Sequence, residues 1–352
     1  MQKEFNDTGL CIPHRHYMVN NSDKLKQIII LVEKGKYFTI NRPRQFGKTT
    51  TMFLLDKALN LRDDYVAVKL SFEGIDSDTH QHRERFIAEI LIMIAHRLEF
   101  LGWPNLSQLV EKHRPEITNL PALSRFITKL IGTMPTKLWV LMIDEVDKSS
   151  NNQLFLDFLG MLRNKYLHRD DGEETFQSII LAGVHDIKTL KQKIRPGQDS
   201  GYNSPWNIAI DFEVDLSFAA HEIETMVQDY SQDKGIEPNI PAIAKQLYYY
   251  TSGYPYLVSK LCKFIDEKII PRRDDKNWLV DDVESAFKMI VAEGYTTTLF
   301  DSLTKNLENN QDLYNNVFNL VINGQRIPFN ITVPVINLGY LYGIFKDSDE
   351  GC

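Results

Sequence analysis

Apolar positions along the chain follow two rhythms, which change over at about residue 215. In the first part, short continuous apolar runs alternate with longer stretches of helical spacing. The runs are Tyr37–Ile40, the alternating YVAVKLS of Tyr65–Ser71, the LWVLMID of Leu138–Asp144 and the SIILAG of Ser178–Gly183, with Trp206–Ile210 as a further candidate. Helices are predicted over Asn21–Lys34, from Thr49 to about Leu61, and over His80–Leu101. On the last of these Phe86, Ile87, Ile90, Leu91, Ile94 and Leu98 share one face. Two more helical patterns follow the Trp103-Pro104-Asn105 break, the second near Leu123–Met134. Apolar runs without alternation suit strands buried on both faces. Strands that alternate with helices predict an α/β domain with a parallel sheet. Ligands of such sheets bind beyond the carboxyl ends of the strands.

In the second part helical spacing takes over. Ala219–Gln232, Ile240–Tyr250, Pro255–Lys268 and Val280–Glu293 predict a small helical lid. Leu299–Ile344 gives two short helical patterns and then NITVPVINLGYLYGIF, a β-branched, glycine-punctuated stretch that suits a winged-helix-like module. The expected organisation is an α/β domain over 1–215, a lid over 216–295 and a partial winged-helix-like module over 296–352.

Composition adds limits. The 352 residues are 43% hydrophobic, as in globular chains of about two domains. The net charge of −7 gives no support to a nucleic-acid partner, although local basic patches stay open. Cys11, Cys262 and Cys352 lie far apart and show no disulfide framework, which suits a reducing cytoplasm. Cys11, His14 and His16 invite a metal, but no second cluster accompanies them, and an ordinary loop is the expectation. MQKEFND has no signal-peptide core, and runs such as Ile28–Val32 are too short to span a bilayer.

The chemistry centres on Tyr37–Thr50, YFTINRPRQFGKTT. A buried strand feeds a short loop that ends in Gly47-Lys48-Thr49 at a helix start, the arrangement of a nucleotide-binding P-loop. The N–H groups and dipole of a helix start face an anion. Gly47 lets backbone approach phosphates, Lys48 sets a cation on the β/γ oxygens, and Thr49 offers a hydroxyl to Mg2+. The loop positions expected around the phosphates are Arg42, Pro43, Arg44, Gln45, Phe46, Gly47, Lys48, Thr49 and Thr50. The first glycine of the usual pattern is replaced by Arg42, and Pro43 after it donates no N–H.

An apolar strand ending in Asp144-Glu145 is the Walker B pattern that such a loop requires. Asp144 would hold Mg2+, directly or through water, and Glu145 would polarise the attacking water. Asp147, two residues on, either orients Glu145 or starts the next helix, and the second is favoured. His185 follows the SIILAG strand, where ATPases with an additional strand carry a polar sensor of the γ-phosphate; the alternative is a loop histidine beside a helix cap at Asp186. Arg163, Arg169, Lys193 and Arg195 are either surface cations or candidates for an arginine finger. Gly253-Tyr254-Pro255 is either a plain helix break or a wall for adenine.

These stretches resemble the bacterial AAA-like ATPase domain proteins, which are allied to the STAND and archaeal-type ATPases. The resemblance is carried by TGLCIPHRHYMVN, YFTINRPRQFGKTT, VLMIDEVDK, LAGVHDIKTLK, NSPWNIAIDFEVDLSF and TSGYPYLVSKLC. It implies that Arg42 is a family trait, that Pro255 with Tyr254 lies by the adenine, and that Tyr17–Met18 lies near the base. ATP and Mg2+ are the expected cofactors, and a protein partner or self-association is expected. Many such proteins continue into a PD-(D/E)XK nuclease-like domain; no Asp…Glu-x-Lys strand pair occurs here, so a truncated module and no nuclease activity are expected.

The expected activity is an ATP-hydrolysing switch. The alternative is a nucleotide-gated scaffold with little turnover. A GTPase would need Asn-Lys-x-Asp after a strand, and Asn164-Lys165-Tyr166-Leu167 lacks the Asp and lies within a helix pattern. A kinase could share the loop, but no acceptor-substrate signature is visible.

Overall fold

The computed structural model describes residues 3–76, 78–148, 152–184, 206–292, 298–348 and 351–352. They form two compact units. One comprises Leu25–Asn41 and Thr51–Val214; the other comprises Met1–Lys24, Arg42–Thr50 and Asp215–Cys352.

The first unit holds a parallel sheet of β1 (Phe38–Asn41), β2 (Tyr65–Ser71), β3 (Leu138–Asp144) and β4 (Ser178–Gly183) in the order β1-β4-β3-β2. β4 is inserted between β1 and β3, with Phe38 opposite Ile180 and Val140 opposite Ser178. All pairs are parallel, with Asn41 opposite Gly183 and Ser71 opposite Asp144, so the carboxyl ends lie at one end of the sheet. Every residue of β4 is buried, and so is every residue of β3 after Leu138. That explains why these strands read as continuous apolar runs: helices cover both faces, and each fully buried Ile or Leu contributes about 1.5–3 kcal/mol.

The flanking helices are α1 (Ser22–Glu33), α2 (Lys48–Asn60), α3 (Arg83–Phe100), α4 (Pro104–His113), α5 (Leu120–Gly132) and α6 (Gln153–Leu167). The apolar stripe of α3 is buried from Phe86 to Leu98, as its spacing predicts. α5 and α6 begin at side-chain caps: Asn119 accepts from the Ala122 N–H, and Asn152 from the Leu154 N–H.

Trp206–Ile210 is not a strand. It forms a turn in which Trp206 is buried, and only Ile210 pairs, donating its N–H to the Tyr37 carbonyl (2.9 Å) beside Phe38. Trp206 stacks on Tyr37, just before β1, with ring centroids 5.9 Å apart, and Phe212, two residues beyond the run, stacks on Phe38 at 5.6 Å.

The second unit contains α7 (Ala220–Lys234), α8 (Ile240–Thr251), α9 (Pro255–Phe264), α10 (Val280–Ala292), α11 (Thr298–Glu308), α12 (Gln311–Val321) and α13 (Pro334–Leu341). The stretch NITVPVINLGYLYGIF, expected to belong to a winged-helix-like module, supplies α13, whose first residue is Pro334. Its core includes a cluster of Phe5, Tyr17, Tyr230 and Trp278, with Phe5 4.8 Å from Tyr17 and 5.7 Å from Trp278. Tyr17 is fully buried in this cluster, and its hydroxyl donates to the Asp233 carboxylate, a charge-assisted bond.

Candidate functional site

The loop between β1 and α2 has the backbone its sequence demands. Gly47 has φ +78, a conformation that costs other residues energy, and Lys48 is the first residue of α2. The Lys48 side chain is buried, and its ammonium donates to the carbonyl oxygens of Arg42 and Pro43, both at 2.8 Å. The cation is thus held within the curl of the loop, at the positive end of a helix. Thr49 is exposed on the first turn of α2. The Thr50 hydroxyl accepts the Cys11 N–H (3.2 Å), which seats the lead-in beside the start of α2.

The two arginines of the loop differ. Arg42 is buried with its guanidinium over the Tyr340 ring (5.6 Å), whereas Arg44 and Gln45 are exposed. Phe46 meets Tyr254 edge to face, with centroids 4.8 Å apart, and the Tyr254 hydroxyl donates to the Arg44 carbonyl oxygen. Burial holds the Tyr254 phenol well above its ordinary pKa, so it stays protonated as a donor. Pro255 is buried and opens α9. Gly253, just before, has φ +75 and no room for a side chain: a Cβ there would lie 1.9 Å from the Phe218 carbonyl oxygen.

The acidic end of β3 belongs to the sheet unit. Asp144 is buried, and one of its carboxylate oxygens accepts the Glu145 N–H (3.0 Å). The Phe72 N–H donates to the Asp144 backbone carbonyl, so β2 fixes where β3 ends. Glu145 has φ +58, a left-handed conformation that is costly for a side chain of its kind. Asp147 lies in the first turn of a short 3-10 helix, Val146–Lys148, and α6 begins later, at Gln153 under the Asn152 cap. Its carboxylate accepts the Val184 N–H (2.6 Å) and ties the turn after Glu145 to the end of β4.

Among the described residues, the non-glycine residues with positive φ are Gln45, Glu145 and Ser252. One lies in the loop, one at the acidic strand end and one in the turn before Gly253-Tyr254-Pro255. Such outliers persist only where surrounding structure enforces them. Sequence reasoning had no signal for them.

His185 lies outside the described residues, as do Asp186, Lys193 and Arg195. Arg169 lies over Tyr166 (3.8 Å), which packs against Tyr37 (4.3 Å) just before β1. That is the amino end of the sheet, opposite the end where β1 and β3 deliver their polar residues. His16 is buried and accepts the Ile12 N–H through Nδ1 (2.9 Å), and no group of His, Cys, Asp and Glu able to hold a metal occurs among the described residues. Nor is any helix among them long and apolar enough to cross a membrane.

The fold is that of known ATPases. The Walker-type ATPase PABY2304 of Pyrococcus abyssi superposes with TM-score 0.62 at 12% identity, over 98% of this chain and 95% of its own. The Aeropyrum pernix ORC2 protein, solved as ADPNP–ADP complexes, gives TM-score 0.50 at 13% identity, over 96% of this chain and 89% of its own. No curated protein matches the sequence. A family model described as an AAA-like domain matches residues 13–333, and the chain belongs to that family.

Proposed function

We propose that the chain binds Mg-ATP and hydrolyses it as a nucleotide-driven conformational switch. The observation that carries this reading is the placing of Lys48: first residue of α2, buried, its ammonium held inside the loop by two backbone carbonyls. A lysine so placed has its partners in the loop and exchanges them for phosphate oxygens at little cost in ordering. The family and the fold support nucleotide binding; ADPNP and ADP are bound in one of the similar structures.

Roles follow from the chemistry of each group. Lys48 and the N–H groups at the start of α2 bind the β/γ phosphates. Arg44, exposed in the loop, adds a cation there. The Thr49 hydroxyl and the buried Asp144 carboxylate are hard oxygen donors, the kind that Mg2+ prefers. The ion, when bound, neutralises charge that develops on the transferred phosphoryl group. Glu145 orients the attacking water and takes its proton. Pro255 is our candidate for the adenine wall, and Tyr254 acts by holding the loop. His185 stays a candidate sensor.

A nucleotide-gated scaffold with little turnover is the second reading. The left-handed backbone at Glu145 favours the hydrolase, because a pure binder gains nothing from holding a carboxylate in a costly conformation. The experiment is ATP turnover by the purified chain with and without Mg2+, beside Lys48→Ala and Glu145→Gln. Lys48→Ala is expected to lose binding. Glu145→Gln is expected to keep binding and lose turnover; normal turnover in that variant sinks the role given to Glu145.

A further inference from the structure

Three consecutive loop residues are each held by a residue far away in sequence. Arg42 lies over the ring of Tyr340. Pro43 packs so closely on Gly343 that a Cβ there would come 2.8 Å from Pro43 Cγ and 3.1 Å from Tyr254 Cε2. Arg44 offers its carbonyl to the Tyr254 hydroxyl. The first two holds come from one short stretch, Tyr340–Lys346, at and after the end of α13.

That stretch is itself anchored at both ends. Phe329 meets the Tyr340 ring edge to face, with centroids 5.8 Å apart. The Ile344 N–H donates to the Gly339 carbonyl (2.8 Å). At the far end the Lys346 ammonium bonds the Ser252 carbonyl oxygen (3.0 Å) and the Tyr248 hydroxyl (3.1 Å). Ser252 belongs to the same turn as Tyr254, so the strap and the Gly-Tyr-Pro turn brace the loop together. The residues under the strap, Arg42 and Pro43, are the two whose carbonyls hold the Lys48 ammonium.

We propose that Tyr340–Lys346 is a positioning element of the nucleotide site: it fixes the backbone of Arg42 and Pro43, and through their carbonyls the place of Lys48. The inference rests on the reading of the loop as a nucleotide site. The physical need is visible in the sequence. Where the usual loop opens with a glycine, this one has Arg42 followed by Pro43, which has no N–H to bond within the loop. Its shape is supplied from outside, and Gly343 is the residue that lets the strap come close enough. Coupling of this kind is reciprocal: if the seated strap strengthens nucleotide binding, bound nucleotide stabilises the seated strap by the same factor.

The test uses the full chain, with Mg-ATP titrations by calorimetry and hydrogen exchange of the strap amides with and without Mg-ATP. Tyr340→Leu, which removes the ring under Arg42, and Gly343→Val, which pushes the strap off Pro43, are each expected to weaken Mg-ATP binding about tenfold. Tyr340→Phe keeps the ring and is expected to bind like the parent. Exchange at the Ile344 and Phe345 amides is expected to slow when Mg-ATP is added, and not to slow in Lys48→Ala. Should Gly343→Val fail to fold, Tyr340→Leu and the exchange measurement decide alone. If the parent binds Mg-ATP while Tyr340→Leu binds equally well and strap exchange does not change, the strap has no part in the site. If the parent itself does not bind Mg-ATP, the nucleotide reading falls, and this inference with it.

Discussion

The Tyr254 hydroxyl donates to the carbonyl oxygen of Arg44, joining the turn before α9 to the loop before α2. The ring also meets Phe46 edge to face, so two loop residues depend on one tyrosine. Tyr254→Phe keeps the ring contact and deletes the donor, leaving the Arg44 carbonyl without that bond. The expected cost is about 0.5–1.5 kcal/mol of stability, with a several-fold weaker grip on Mg-ATP. Chemical denaturation and a binding titration read the two effects. An unchanged binding constant would mean that the bond serves only the fold.

Arg42 and Arg44 should separate cleanly. Arg42 is buried against Tyr340, and its substitution removes packing and a cation–π contact. Arg42→Gly is expected to destabilise the chain by about 1–2 kcal/mol, since it also adds a flexible residue to the loop. Arg44 is exposed, so Arg44→Ala is expected to leave the melting temperature unchanged and to weaken nucleotide binding, with a smaller salt dependence than the parent. The reverse pattern would exchange the roles of the two arginines.

The contrast between them marks how far sequence could go. Strands β1, β3 and β4 were legible because burial on both faces leaves an unbroken apolar run, and β3 ends in acids where the run stops. The loop was legible because an apolar strand leads into Gly-Lys-Thr at a helix start and a second apolar strand further on ends in Asp144-Glu145. Trp206–Ile210 misled because Trp206 and Ala209 are buried in a turn, while only Ile210 pairs. Asp147 lies at a short helical turn, as its sequence suggested, but its bond to the Val184 N–H, at another strand end, had no local signal. The partners of Arg42 and Arg44 lie in α13 and before α9, and one sequence shows residue types but not which distant side chains meet. Positive φ at Gln45, Glu145 and Ser252 is likewise imposed by packing and has no local signature.

Glu145 gives a prediction that sets stability against activity. Its left-handed backbone costs about 1–2 kcal/mol relative to a residue free to adopt it. Glu145→Gly removes that cost and the carboxylate together. The variant is expected to melt at or above the parent's temperature and to lose ATP turnover. Glu145→Gln, which keeps the cost, is expected to lose turnover with no gain in stability. Equal melting temperatures in the two variants would show that the local backbone is not strained.

Asp7 gives the pH dependence. Its carboxylate is nearly buried and pairs with Lys260 (2.6 Å) and Lys263 (2.7 Å) on α9. Burial alone would raise its pKa; the two ammonium groups outweigh burial and hold it below the ordinary value. A carboxyl that titrates lower in the folded chain gives stability that is fully present above its unfolded pKa, about 3.9, and is lost as the pH falls through the folded value. Asp7→Asn is therefore expected to cost about 1–3 kcal/mol near neutral pH, discounted for the partial exposure of both lysines. The deficit should shrink as the pH drops below about 4, where the parent's own carboxyl becomes protonated. Melting curves of both proteins across that range read it directly, and a deficit that stayed constant with pH would assign Asp7 to packing instead of charge.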